Sequence, residues 1–116
     1  MPYPYNPLKV IIRPDYTQLM IEASLIKDNM VLATVSRLLE NSESVLEDYE
    51  KDMLCVILAL ENWSDILTSY QVSAITDSYD LMYSNGKSWV VDDHILMLKI
   101  NSFGICIHWT DDEEDY

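Results

Sequence analysis

Seven consecutive residues, Leu54-Cys55-Val56-Ile57-Leu58-Ala59-Leu60, are all apolar, and they stand inside a segment whose apolar positions recur at helical spacing. Val45, Leu46, Tyr49, Met53, Val56, Ile57 and Leu60 follow one another at three and four, so one face of a helix over residues 44–62 must be buried. From Leu54 to Leu60 the helix is apolar all round, and such a helix runs through a core rather than over a surface. Ser44-Val45-Leu46-Glu47 has the form of a capping box, in which the Ser side chain satisfies an orphan backbone N–H and Glu47 reaches back to the cap. Trp63 to Tyr70 extends this helix or forms a short further one, with Ile66 and Leu67 inward.

At 116 residues the chain fits one domain, large enough for a core without metal or disulfide support. Three prolines among residues 2–7 predict an extended N-terminal arm over 1–7. Leu8 to Ile12 reads as a short strand ended by Arg13-Pro14 and suited to a sheet edge. Asp15 then caps a helix carrying Leu19, Met20, Ala23, Ile26 and Lys27, and a second segment after Asp28 carries Val31, Val35, Leu38 and Leu39. Beyond Gln71 the reading changes to strands. Turns at Asn85-Gly86, Asp92-Asp93 and Ser102-Phe103 place Met82, Trp89, Val91, Leu96, Leu98, Ile100, Ile105, Ile107 and Trp109 on one sheet face. The expected class is α+β: two or three helices on one face of a C-terminal four-stranded antiparallel meander, with a short N-terminal edge strand. Residues 8–70 are then mainly helical, 71–110 form the sheet, and 111–116 are an acidic tail.

The charge is unevenly spread. Residues 1–39 hold Lys9, Arg13, Lys27 and Arg37 against Asp15, Glu22 and Asp28, whereas residues 40–116 hold Lys51, Lys87 and Lys99 against 17 acids, for a total of −13. So large a one-signed field opposes compaction. Phosphate binding draws on Lys and Arg clusters that are missing here, which argues against direct binding of nucleic acid or an anionic membrane and for a basic protein partner. No apolar run approaches the roughly 18 residues of a membrane span and no leader pattern opens the chain, so a cytoplasmic location is expected. Cys55 and Cys106 each sit in an apolar run and read as reduced thiols in or near the core. Self-association is open to a flat exposed strand at residues 8–12 or 105–109.

Candidate contact residues are the helix-face acids Glu43, Glu47 and Glu50, flanked by Glu40, Asp48 and Asp52, and the acids Asp77, Asp80, Asp92 and Asp93. Tyr83, with Tyr79, adds an aromatic anchor beside Asp77 and Asp80. Asp92-Asp93-His94 with His108 does not read as a metal site, because the expected register puts the two imidazoles on opposite faces and places no third ligand. Gly86 and Gly104 are the only glycines, so no phosphate-cradling loop is present, and no G-x-S-x-G or H-E-x-x-H motif occurs. Neither catalysis nor a cofactor is expected. In size, charge and lack of catalytic motifs the chain resembles the small acidic inhibitors of phages and mobile elements, such as DNA mimics and anti-CRISPR proteins. That resemblance implies an inhibitor occupying the basic site of a nucleic-acid-processing enzyme. An immunity protein or antitoxin against a basic toxin, or an assembly subunit with an acidic surface, are the alternatives.

Overall fold

Asp28 and Asn29 both hold positive φ, 53° and 64°, the two-residue turn geometry that matches the twist of an antiparallel hairpin. The computed structural model, which describes residues 8–84 and 94–111, uses that turn to join β2 (Met20–Lys27) to β3 (Met30–Leu38). Two helices, or one bent helix, had been expected there. Over so short a stretch Leu19, Met20, Ala23 and Ile26 fit a helical period, but the residues that join the core clusters under the helix are Ile21, Ala23 and Leu25, which alternate as a strand does, and Ser24 and Ile26 between and beyond them are buried too.

β1 (Lys9–Tyr16) pairs antiparallel with β2 on one side and parallel with β4 (Gln71–Ile75) on the other. It is thus central, not an edge, and it continues through Pro14. The ladder to β4 ends at Ile12 opposite Ala74, so Pro14 lies beyond it, where the missing N–H breaks no bond to that strand. β5 (Ile107–Thr110) adds parallel to β4, completing a five-stranded mixed sheet in the order β3-β2-β1-β4-β5.

The expected antiparallel meander is therefore not formed, and residues 8–70 hold three strands besides their helix. Tyr79–Ser84 is a helix, α2, and His94–Ser102 another, α3. The apolar run Ile95-Leu96-Met97-Leu98 has no polar punctuation to set its period. In the helix Met97 and Ile100 are buried while Ile95 and Leu98 are exposed. The turns expected at Asn85-Gly86 and Asp92-Asp93 lie outside the described residues, as do the Pro-Tyr arm and tail residues 112–116.

The long helix is present as α1 (Asp48–Leu67), and every residue from Asp52 to Leu60 is buried. Met53, Val56, Ile57 and Leu60 join Val10, Ile12, Ala23, Leu25, Val72 and Ala74 of the sheet in one core, to which α3 adds Met97 and Ile100. Leu54, Cys55 and Leu58 bury against Ile21, with Tyr16 and Leu96 packed alongside. The cap lies three residues later than expected, at Glu47 rather than Ser44. The Glu47 backbone N–H donates to Glu50 Oε1 at 3.0 Å, while Ser44 Oγ donates to Asn41 O at 2.8 Å. Cys55 is buried as expected, but Cys106 is exposed just before β5, and both are free thiols. Among the described residues no helix is long and apolar enough to cross a membrane.

Leu60→Ala should lower the unfolding free energy by about 2–5 kcal/mol, the cost of a buried cavity. Leu98→Ala, at an exposed position of α3, should cost within about 0.5 kcal/mol. Urea unfolding of both variants checks the assignment; equal costs would show that α3 does not present the face described.

Candidate functional site at the carboxylate end of the sheet

Parallel pairing carries β1 and β4 to the same end of the sheet, and the first turns of α1 meet them there. Cys55 Sγ donates to Asp15 O at 3.5 Å, which ties α1 to the end of β1. Thr76 Oγ1, just past β4, donates to Asp52 Oδ2 at 2.8 Å and accepts from the Ser78 backbone N–H at 3.1 Å. Asp52 is only 5% exposed. Burial, opposed by the Thr76 hydrogen bond and reinforced by Asp77 and Asp48, pushes its carboxyl up to about 6. A carboxyl so displaced at the junction of three elements marks a functional-site candidate.

Strand alternation decides what β1 contributes. Val10 and Ile12 face the helices, and a period of two puts Pro14 and Tyr16 on that side and Arg13 and Asp15 on the other. Tyr16 accordingly packs against the Leu54–Cys55–Leu58 cluster, whereas Asp15 is exposed and paired with Glu22 of β2. Burial raises the Tyr16 phenol well above its ordinary range, and the fields of Asp52, Asp48 and Asp77 add to that shift. The Lys51 ammonium lies 5.7 Å from the centre of the Tyr16 ring, within cation–π range.

Of the acids expected to line a docking face, only Asp77 among the described residues reaches this corner. Glu43 forms a two-pronged pair with Arg37, Oε1 to Nη1 at 2.7 Å and Oε2 to Nη2 at 2.8 Å, and that pair holds its carboxyl below the usual range. It fastens the loop after β3 to the strand. Glu47 and Glu50 cap α1, which leaves them as helix-start residues. Asp80 is exposed in the first turn of α2, Tyr83 lies in α2, and Asp92 and Asp93 lie outside the described residues. Asp52 had been seen only as a flanking acid and Tyr16 not at all; the signal that could have found them was Asp52 on the buried side of the helix, next to Met53.

Over residues 7–97 the chain matches the family described as the RNase H-like domain found in reverse transcriptase. It is similar in fold to a foamy viral protease-reverse transcriptase dRH in complex with double-stranded DNA, with a TM-score of 0.67 at 10% identity, covering 90% of this chain and 21% of that one. A second foamy viral protease-reverse transcriptase in complex with double-stranded DNA gives a TM-score of 0.65 at 10% identity, covering 96% and 25%. The chain thus spans a quarter or less of the solved chains that it matches. No curated protein matches it.

These matches overturn the acidic-inhibitor reading and its immunity-protein and assembly-subunit alternatives, because the family is one of nucleic-acid-processing enzymes. The exclusion of nucleic acid as a partner falls with it. Charge counting misled because it describes the isolated domain and not the longer protein in which such domains occur.

Strand-cutting nucleases commonly work through paired divalent cations clamped between carboxylates. The corner offers oxygen donors, which suit a hard cation, but it does not complete a set. Among the described residues no three His, Cys, Asp or Glu side chains stand close enough together to hold a metal ion. Asp15 is turned to the other face, and Tyr16 with Lys51 stands on the helix side. The described residues as arranged do not fit a bound metal.

Asp52 also predicts a pH dependence. Its carboxyl titrates at about 6 in the fold against 3.8 ordinarily, so between those values the folded state binds the extra proton. Its contribution to stability is full below about pH 4, falls as pH rises, and is lost above about pH 6. Asp52→Asn keeps an acceptor for Thr76 and should be more stable than the wild type near pH 7.5, by on the order of 1–3 kcal/mol. The gap should close toward pH 4 in thermal unfolding; a gap independent of pH would contradict the assignment.

Proposed function

Because the chain belongs to the family of RNase H-like domains found in reverse transcriptase, we propose that it is a nucleic-acid-processing module of a longer enzyme and performs no strand hydrolysis of its own. One observation carries the second half of this reading. At the end of the sheet where Asp52 and Asp77 approach from α1 and β4, β1 presents a phenol and not a carboxylate. Among the described residues these two acids, one of them buried and bonded to Thr76, are too few to clamp cations on a phosphodiester.

The substrate class assigned to the whole enzyme is a nucleic-acid duplex. Both foamy viral reverse transcriptases with this fold were solved on double-stranded DNA, and this supports duplex as the class that such an enzyme handles. With 20 acids against 7 bases, this module cannot supply the phosphate contacts by itself, since each neutralised phosphate calls for a Lys or Arg. The remainder of the enzyme supplies them, and this domain contributes shape and position.

An RNA–DNA hybrid with end-labelled RNA, incubated with purified protein and excess Mg²⁺ or Mn²⁺, tests the reading. The RNA strand should be cut no faster by the wild type than by Asp77→Asn. Cleavage that Asp77→Asn or Asp52→Asn slows by about 100-fold, the scale on which catalytic acid–base groups act, would overturn it.

A further inference from the structure

β3 is the last strand on its side of the sheet, and no described strand pairs with its outer edge. The hydrogen bonds of the hairpin fix which groups that edge presents. Leu39 N–H donates to Leu19 O at 2.8 Å, and the same register runs on through Leu38 opposite Met20 to Ala33 opposite Leu25. Bonded and non-bonded positions alternate along an antiparallel pair. Ala33, Val35 and Arg37 therefore turn their backbone groups to β2, while Thr34 and Ser36 turn both N–H and C=O outward. We propose that this edge binds a second copy of the chain, the two β3 strands running antiparallel about a twofold axis at Val35.

Three observations carry the proposal. The strand is nine residues long and holds no Pro or Lys, the residues that commonly keep edges apart, and its bulge is confined to the level of Leu25 and Ile26, near the turn. Residues 8–12, where self-pairing was expected, lie mostly in the central strand β1, and β5 is only four residues long. Secondly, in a chain of net charge −13 β3 has no acid, and its one charged side chain, Arg37, is paired with Glu43. Two copies repel each other least where they meet along this strand. Thirdly, the strand is complementary to itself, as a twofold interface requires. With Val35 opposite Val35, Thr34 meets Ser36 of the second copy and Leu32 meets Leu38, each pair occurring twice by symmetry. Each Thr–Ser pair exchanges N–H···O bonds in both directions, and Leu32 and Leu38, 56% and 72% exposed, cover one another. Moving the axis to Thr34 or to Ser36 sets a leucine against a hydroxyl instead.

Sedimentation velocity over a dilution series, at low and high ionic strength, tests it. The wild type should pass from monomer to dimer as concentration rises. Dimer should gain at high ionic strength, because salt screens the repulsion between two acidic bodies and leaves the backbone pairing intact. Ser36→Pro removes an outward N–H without touching the ladder to β2 and should weaken the dimer about tenfold or more. Leu38→Lys, which sets a charge against Leu32 of the second copy, should weaken it likewise and carries the test if Ser36→Pro does not fold, with circular dichroism reporting the fold of each variant. Leu98→Lys places the same charge on the exposed face of α3 and should leave the dimer unchanged. In a Cys106→Ser background, Val35→Cys should form an intermolecular disulfide under mild oxidation, since the axis sets that residue against itself, whereas Thr34→Cys should not. A dimer that Ser36→Pro and Leu38→Lys leave intact, or one that dissolves as salt is raised, would overturn the proposal. A monomer throughout the series would also overturn it and leave the edge to a segment of the longer enzyme.

Discussion

The fold depends on a helix that has no solvated side over nine successive residues, Asp52 to Leu60. Burying that stretch requires apolar surface on more than one side, and the sheet face and α3 supply it with Ile12, Leu25, Val72, Met97 and Ile100. The same burial draws Asp52 out of water, because it lies one residue before Met53 at the edge of the dry segment. The carboxylate is therefore held where it is by the packing that stabilises the domain. Its raised proton affinity is a by-product of core formation as much as of any chemistry at the corner.

Much of α1 was legible in the sequence because twenty residues give a helical period room to declare itself. The hairpin of β2 and β3 was not, since a handful of apolar residues satisfy periods of two and of three to four alike. Its discriminating signal was the Asp28-Asn29 pair, which accepts positive φ at both positions and was read as a helix boundary instead. In α3 the unbroken run Ile95 to Leu98 concealed the period altogether. Pro14 misled in another way: a proline was taken to end β1, but the parallel neighbour stops first.

The site was less legible than the fold. Asp77 was named, yet for its charge and not for its place at the end of β4. Asp52 and Tyr16 become neighbours only when β1 and β4 run parallel with α1 across them, and nothing in a linear sequence announces a parallel register between Lys9 and Gln71. Several of the acids that drew attention first, Glu43, Glu47 and Glu50, serve the loop and helix start immediately around them. Charge density located where the acids are many, whereas the candidate corner is where one of them is dry.

The two halves of the sheet also differ in how far apart their partners lie along the chain. β1, β2 and β3 occupy residues 9–38 and are joined by short turns, so their pairing closes only small loops. The pairing of Lys9 with Gln71 has to close a loop that contains the hairpin and all of α1. Loop-closure entropy makes the antiparallel half the quicker to assemble and the parallel half the slower. The corner, which needs the ends of β1 and β4 and the start of α1 at once, is thus among the last places to form as the chain folds. On a growing chain it cannot exist until residues well past Thr76 have been made.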